Sequence, residues 1–306
     1  MTRAPGADAS TAEFERHRGH LLGLAYRMLG SRAEAEDAVQ EAWLRWSGVD
    51  TGSVGLPRAF LSQTVTRLCL DRLKSAQLQR EVYVGPWLPE PVLGDDTLQQ
   101  AGPESTTEFA NDLSVAFMLA LERLSPLERA AFLLHDVFDA GFPEVAAALG
   151  RSEAACRQLA SRARVRVREA RPRFEVGDAE CERLAGAFLA AAATGDLQAL
   201  SHLLAEDARL VADGGGVVFA ARVPVVGRRR VVKLMDGLRR KYPLPLDAQV
   251  LPARINGLPG CIIGAADGTP IQTVAIEATA DGHVAAVYVV RNPEKLRHLA
   301  GYFRRH

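Results

Sequence analysis

The sequence predicts a multidomain chain in which two all-α segments, a helical bundle and a helix-turn-helix, precede an α+β domain. Three observations carry that prediction. Apolar residues recur at helical spacing over most of the first 170 residues. A short helical pattern, a tight turn and an arginine-rich helix follow one another at 142–170. Beyond about Gly177 the pattern changes to one helix and then strand-like runs, among them "ATADGHVAAVYVV" with the Asp-Gly signal of a hairpin.

Each element has a local reason. In "AEFERHRGHLLGLAYRMLG" the residues Leu21, Leu24, Ala25, Met28 and Leu29 fall on one helical face, and Gly30 suits its end. Ser31 and Glu34 predict a capped start for the next helix, with Ala38, Val39, Ala42 and Trp43 inside. Trp43 and Trp46 are read as core. Pro57 opens a third helix with Phe60, Leu61, Val65, Leu68 and Leu73 as its apolar stripe. Ser125-Pro126 opens a helix ahead of "FPEVAAALG", the turn at Gly150-Arg151, and a helix capped by Ser152 on which Leu159, Ala163 and Val167 face inward. After residue 177 come a helix, a run of strands expected to be antiparallel, and one interrupting helix, "GRRRVVKLMDGLRRKY". The domains expected are 10–80, a linker at 81–112, 113–173 and 178–306.

The chain has 306 residues and ordinary hydrophobic content, 48%. It has no apolar run near the roughly 20 residues a membrane helix needs, so no membrane partner is expected. Its four cysteines are scattered without CxxC spacing, so neither disulfides nor a metal site is expected, and the reducing cytosol is the compartment expected. The net charge of zero hides a strong asymmetry. Between Arg151 and Arg173 stand eight arginines against two glutamates, whereas Glu81 to Asp112 holds seven acidic residues and no Lys or Arg. A basic segment points to a polyanion, and the acidic one to a basic channel or to a solvated tether.

Chemistry concentrates in the helix-turn-helix. Arg157, Gln158, Ser161 and Arg162 form one face of its second helix, offering paired donors to base edges, while Ser152 and the free N–H groups at the helix start suit a phosphate. The bland alternative is a solvated arginine-rich helix end. Arg228–Arg230 with Arg239, Arg240 and Lys241 read as a solvated face that could also assist DNA contact. In the last domain Asp213, Arg222, His283 and Tyr288 are the candidate polar groups, with no spacing that marks catalysis.

"DAVQEAWLRW" (37–46) with "PRAFLSQTVTRLCLDRLKSA" (57–76) resembles the promoter-melting domain of extracytoplasmic-function (group IV) RNA polymerase sigma factors. "LSPLERAAFLLHDVFDAGFPEVAAALGRSEAACRQLASRAR" (124–164) resembles their −35-binding domain, and "WLPEPV", "DGGG" and "NPEKL" resemble a subgroup with a fused SnoaL-like cone domain. The resemblance covers nearly the whole chain. It implies that Asp37, Gln40, Glu41 and Leu44, one stripe at i, i+3, i+4 and i+7, dock on the coiled coil of the polymerase β′ subunit. It implies that Arg58, Ser62, Thr66, Arg67, Arg72 and Lys74 meet the −10 element, and that the helix-turn-helix meets the −35 element. The acidic linker would thread the polymerase channels or serve as a disordered tether. Core polymerase and promoter DNA are thus the expected partners. No cofactor and no enzymatic activity are expected, and the cone leaves room for a small ligand or protein. Where the subgroup pattern continues "DGGG" with lysine, Val217 stands here, so contacts of that lysine are not carried over.

The resemblance further implies that the last domain regulates the chain in cis. The alternatives are a SnoaL-type enzyme or ligand-binding protein with a DNA-binding extension, and a dimeric repressor. The stretch "VGPWLPEPV" (84–92) is too stiff and aromatic for a plain linker. Trp87, Leu88 and Pro89 are expected to latch onto the last domain near Asp213 and Gly214 or Asn292 and Pro293, the other reading being that Trp87 is core of the first domain.

Overall fold

The computed structural model describes residues 5–80, 83–94, 98, 112–170 and 177–303. Most of the acidic stretch, 95–97 and 99–111, lies outside the described residues, as do Arg171 and Arg173. The chain forms two compact units: 5–80, 98 and 112–170 in one, 83–94 and 177–303 in the other. The segment read as a linker at 81–112 is therefore divided between them, and its first part packs with the C-terminal residues.

The first unit is all helix: α1 (Pro5–Leu29), α2 (Arg32–Trp46), α3 (Pro57–Arg80), α4 (Val115–Glu122), α5 (Pro126–Phe132), α6 (Phe142–Leu149) and α7 (Glu153–Ala170). Leu21, Leu24, Ala25, Met28 and Leu29 are buried as their spacing requires, and the indole of Trp46 is fully enclosed, donating to the Ser10 carbonyl at 2.9 Å. Ser31 caps α2, accepting from the Glu34 N–H. Ser125 and Glu128 make a reciprocal capping box on α5. That helix runs on into a wider π turn at Leu133–Val137. Between α6 and α7 the chain turns at Gly150 with φ 61°, and the Ser152 hydroxyl accepts from the Ala155 N–H. Leu159 is half-buried and Ala163 and Val167 are enclosed, as the inward face demands.

In the second unit, α8 (Asp178–Thr194) and α9 (Leu197–Leu203) lead into β1 (Leu204–Asp213), β2 (Val225–Val226), α10 (Arg228–Lys241), β3 (Gln249–Ile255), β4 (Leu258–Gly264), β5 (Pro270–Ala278), β6 (Val284–Val290) and α11 (Pro293–Leu296). The six-stranded sheet has the order β2-β1-β6-β5-β4-β3. Its long strands are not all antiparallel: β1 pairs with β6 in parallel, because the chain leaves β1 and returns beside it only after the rest of the sheet is laid down. Asp281-Gly282 turns the β5–β6 hairpin, with Gly282 at φ 77°. One face of the sheet packs on α8 and α10 through Leu184, Phe188, Leu204, Leu210, Val231, Ile276 and Val287. No helix among the described residues is long and apolar enough to cross a membrane.

Candidate functional site

On α2 the stripe Asp37, Gln40, Glu41 and Leu44 faces outward, opposite the buried Ala35, Ala38, Val39 and Ala42. Leu44 is 64% exposed, a large apolar group on the outer face of the helix. Glu41 pairs with Arg45 at 2.7 Å, and Arg72 reaches from α3 to the Glu34 carbonyl at 2.7 Å.

On α7 the face expected to read bases is also free of the core, since Ser152, Arg157, Gln158, Ser161 and Arg162 are all exposed. Two of its arginines are held in place. Arg157 pairs with Glu153 at 2.6 Å and lies over the Phe142 ring, and Arg162 donates to Glu128 at 3.1 Å. Glu128 is buried, which works against its charge. The Ser125 hydroxyl and N–H, with Arg162 and Arg166, more than offset this and hold its carboxyl below the usual range. Glu128, the N3 member of the α5 capping box, thus also orients Arg162 and Arg166.

The expected −10 face of α3 is engaged within the same unit. Arg67 donates to the Ala147 and Ala148 carbonyls at 2.9 and 3.3 Å, and Gln63 donates to the Ala147 carbonyl at 2.7 Å. These are carbonyls left without partners at the C-terminal end of α6, where a cation is favoured by the helix dipole. Arg58 donates to the Phe138 carbonyl at 3.3 Å. Ser62 binds His20 at 2.9 Å, and Lys74 pairs with Asp71 at 2.8 Å. Thr66 corrects the expectation: it is fully buried, its hydroxyl donating to the Ser62 carbonyl at 2.7 Å, a helix-internal bond that takes it off the surface. His20 lies edge-on to Phe138, and burial, with Arg58, His17 and Arg27 nearby, lowers its pKa to about 3.

The second unit contains a buried polar centre built around Asp213. Asp213, at the end of β1, has no exposed surface. Its carboxylate accepts from the Tyr83 hydroxyl at 2.5 Å, the Leu88 N–H at 2.9 Å, the Gly215 N–H at 3.0 Å and the Lys295 ammonium at 2.7 Å. Lys295 also donates to the Leu88 carbonyl and stands 4.2 Å from the centre of the Trp87 ring. Asn292 caps α11, accepting from the Glu294 N–H, and donates to Tyr83 at 3.1 Å. Burial and the Asp213 carboxylate push the Tyr83 pKa upward, so the phenol keeps the proton it donates. Leu88 and Pro89 are buried and Trp87 is half-buried.

Farther along, Val92 and Asn256 exchange hydrogen bonds, Leu93 bridges to Ile255, and His298 contacts Glu90 and the Pro91 carbonyl. Residues 92–93 thereby extend the β3 edge by one short antiparallel pairing. The glycines of "DGGG" are explained by proximity: a Cβ on Gly215, at φ 64°, would lie 2.4 Å from the Asn292 amide, and one on Gly214 would lie 2.3 Å from the Val218 carbonyl. Val217 is 70% exposed.

Tyr83 and Lys295 are the side chains of this centre absent from the residues expected at the latch. Their signals were present, as an aromatic next to the stiff stretch and the one cation inside "NPEKL". By contrast, the remaining polar candidates do not converge. Arg222 is exposed, His283 pairs with Asp281 in the hairpin turn, and Tyr288 donates to Glu277 at 2.6 Å.

Residues 14–79 match the family model for Sigma-70 region 2, and residues 114–167 match that for Sigma-70, region 4. The chain is 42% identical over 291 residues to the ECF RNA polymerase sigma factor SigJ of Mycobacterium tuberculosis, covering 93% of this chain and 92% of the relative. It is 35% identical over 199 residues to a Mycobacterium tuberculosis protein named as probable ECF RNA polymerase sigma factor SigI, covering 64% and 67%. The crystal structure of the Mycobacterium tuberculosis extracytoplasmic function sigma factor SigJ superposes with a TM-score of 0.71 at 38% identity, covering 94% of this chain and 98% of that one.

Proposed function

Because the chain belongs to the extracytoplasmic-function RNA polymerase sigma factors, we propose that its region 2 and region 4 form a closed pair that must part for promoter recognition, with the C-terminal unit holding the tether between them. As a sigma factor the chain binds core RNA polymerase and directs promoter-specific initiation, acting in the cytoplasm where polymerase is. Bond making belongs to the polymerase. The exposed stripe Asp37, Gln40, Glu41 and Leu44 is the surface for the β′ coiled coil, where Leu44 supplies apolar contact beside charged ends. Ser152, Arg157, Gln158, Ser161 and Arg162 read the −35 element from the major groove. Arg58, Ser62, Arg67, Arg72 and Lys74 serve the −10 element.

One observation carries the closed pair: Arg67 and Gln63 donate to the last carbonyls of α6, so the −10 face and the helix-turn-helix satisfy each other. A single-stranded base or phosphate cannot occupy Arg67 while those bonds stand. The two promoter elements are roughly 25 base pairs apart by name, about 85 Å at 3.4 Å per step. Two regions in hydrogen-bond contact cannot reach both. The tether between them has 34 residues from the end of α3 to the start of α4, and residues 83–94 of it are held by Asp213, Lys295 and Asn256. A small ligand or protein that binds the C-terminal unit differently with the tether docked and undocked would shift this balance.

Energy transfer between dyes at the exposed Asp71 and Arg168 tests the closed pair. We expect high transfer in the free chain and a large drop in the complex with core polymerase and promoter DNA. Unchanged transfer in a complex that initiates transcription overturns it.

A further inference from the structure

Two segments of this electrically neutral chain are strongly basic, and promoter recognition uses only one of them. From 214 to 246 stand eight Lys and Arg residues against the single acid Asp236, and seven of the eight lie on α10. We infer that α10 is a second, sequence-independent DNA-binding surface that lies along the phosphate backbone of a duplex.

The helix divides cleanly. Val231, Val232, Leu234 and Met235 pack toward the core of the second unit. At 100° per residue, Arg229, Arg240, Lys233, Arg230 and Lys241 share an exposed stripe about 120° wide and about 18 Å long. Among the described residues, Arg229, Arg230 and Lys233 make no ion pair or hydrogen bond, whereas Arg228 is taken by Glu206 and Arg240 by Asp236. Three adjacent cations therefore face water with no internal role.

A second observation is Gly237, at the middle of this stripe. Glycine inside a helix is destabilising relative to alanine. Here a Cβ would meet nothing within 4 Å, so packing within the chain does not require its absence. A bare backbone ringed by Lys233, Arg230, Arg240 and Lys241 lets an extended anionic surface approach the helix closely. The stripe carries no apolar side chain, which a helix buried at a lipid surface needs on its contact face. Arginines outnumber lysines on it, and a guanidinium suits phosphate oxygens with paired donors. A duplex is the polyanion that a promoter-binding protein already meets.

The test is fluorescence anisotropy of the full chain with a 40-base-pair duplex across a salt series. The R229Q/R230Q/K233Q variant should lower the slope of log affinity against log salt by about 2–3, as expected for the loss of three phosphate contacts. The loss should be equal for promoter and shuffled duplexes. Gly237→Glu, which leaves every cation in place, should also lower the slope. An unchanged slope in both variants overturns the inference, as does an unaltered chain that shows no salt-dependent binding. So does a loss confined to the promoter duplex, which would place the effect on the helix-turn-helix. An equal fall when Arg16, Arg18 and Arg123 are changed to Gln instead would reduce the effect to net charge. Retained duplex binding with lost sedimentation on phosphatidylserine vesicles would assign the stripe to a membrane surface.

Discussion

The contact at Asp213, which holds the tether, and the contact between α3 and α6, which joins region 2 to region 4, are built from opposite materials. Asp213 is a fully enclosed carboxylate with four donors, one of them the ammonium of Lys295, whose side chain is only 12% exposed. Removing one partner leaves a buried charge behind, which is the expensive way to break a contact. Gln63 and Arg67 instead bond neutral carbonyls at a helix end, and Arg67 is exposed. Water replaces such bonds at small net cost. The difference separates a contact that is costly to break from one that opens cheaply, which is what the proposed parting of region 2 from region 4 requires.

The largest expected effect breaks the durable side of this comparison. Asp213→Ala should destabilise the second unit by about 3–5 kcal/mol, read from the urea midpoint, and should expose residues 83–94 to protease. Asp213→Asn, which keeps an acceptor for the Leu88 N–H, should fall between. Equal midpoints for Asp213→Ala and the unaltered chain would show that the tether does not depend on this centre.

The next effect concerns His20, which joins α1 to Ser62 and to Phe138. Its pKa is lowered to about 3 in the fold, from an ordinary 6.5. The neutral form is thus the one folded, so its contribution is complete above pH 6.5 and is lost as pH falls toward 3. Between pH 6.5 and pH 5 the loss should be about 2 kcal/mol. Thermal melts of the unaltered chain should show this slope and His20→Gln should lack it; parallel pH profiles would remove His20 from the account.

The smallest effect sharpens the releasable side. Gln63→Ala should cost about 1 kcal/mol or less of the closed pair, a roughly fivefold shift toward the open form. It should raise, not lower, transcription at limiting chain. A fall in activity would mean that Gln63 itself serves DNA.

Much of this was legible in the residues. The helices of both DNA-reading regions follow from apolar spacing and from caps at Ser31, Ser125 and Ser152, which act within a few residues of themselves. "VGPWLPEPV" could be read as a segment needing a partner because three prolines and a tryptophan exclude both helix and free linker. Thr66 was misplaced because α3 packs more than one face, so residues off its main apolar stripe are also covered. The parallel pairing of β1 with β6 was missed for a different reason, since alternation along a strand does not say which strand lies beside it.

What the sequence by itself determined is therefore local: which stretches are helix or strand, where they are capped, and which charges share a face. The tertiary structure alone decided that Arg67 meets the end of α6, 80 residues away, and that Tyr83, Leu88, Asp213 and Lys295 form one buried centre. Periodicity and capping are set by neighbours within a turn or two and leave a readable pattern. Pairings over 80 to 200 residues are chosen by burial and by the satisfaction of charges and carbonyls in the assembled fold, and these leave no period in the chain.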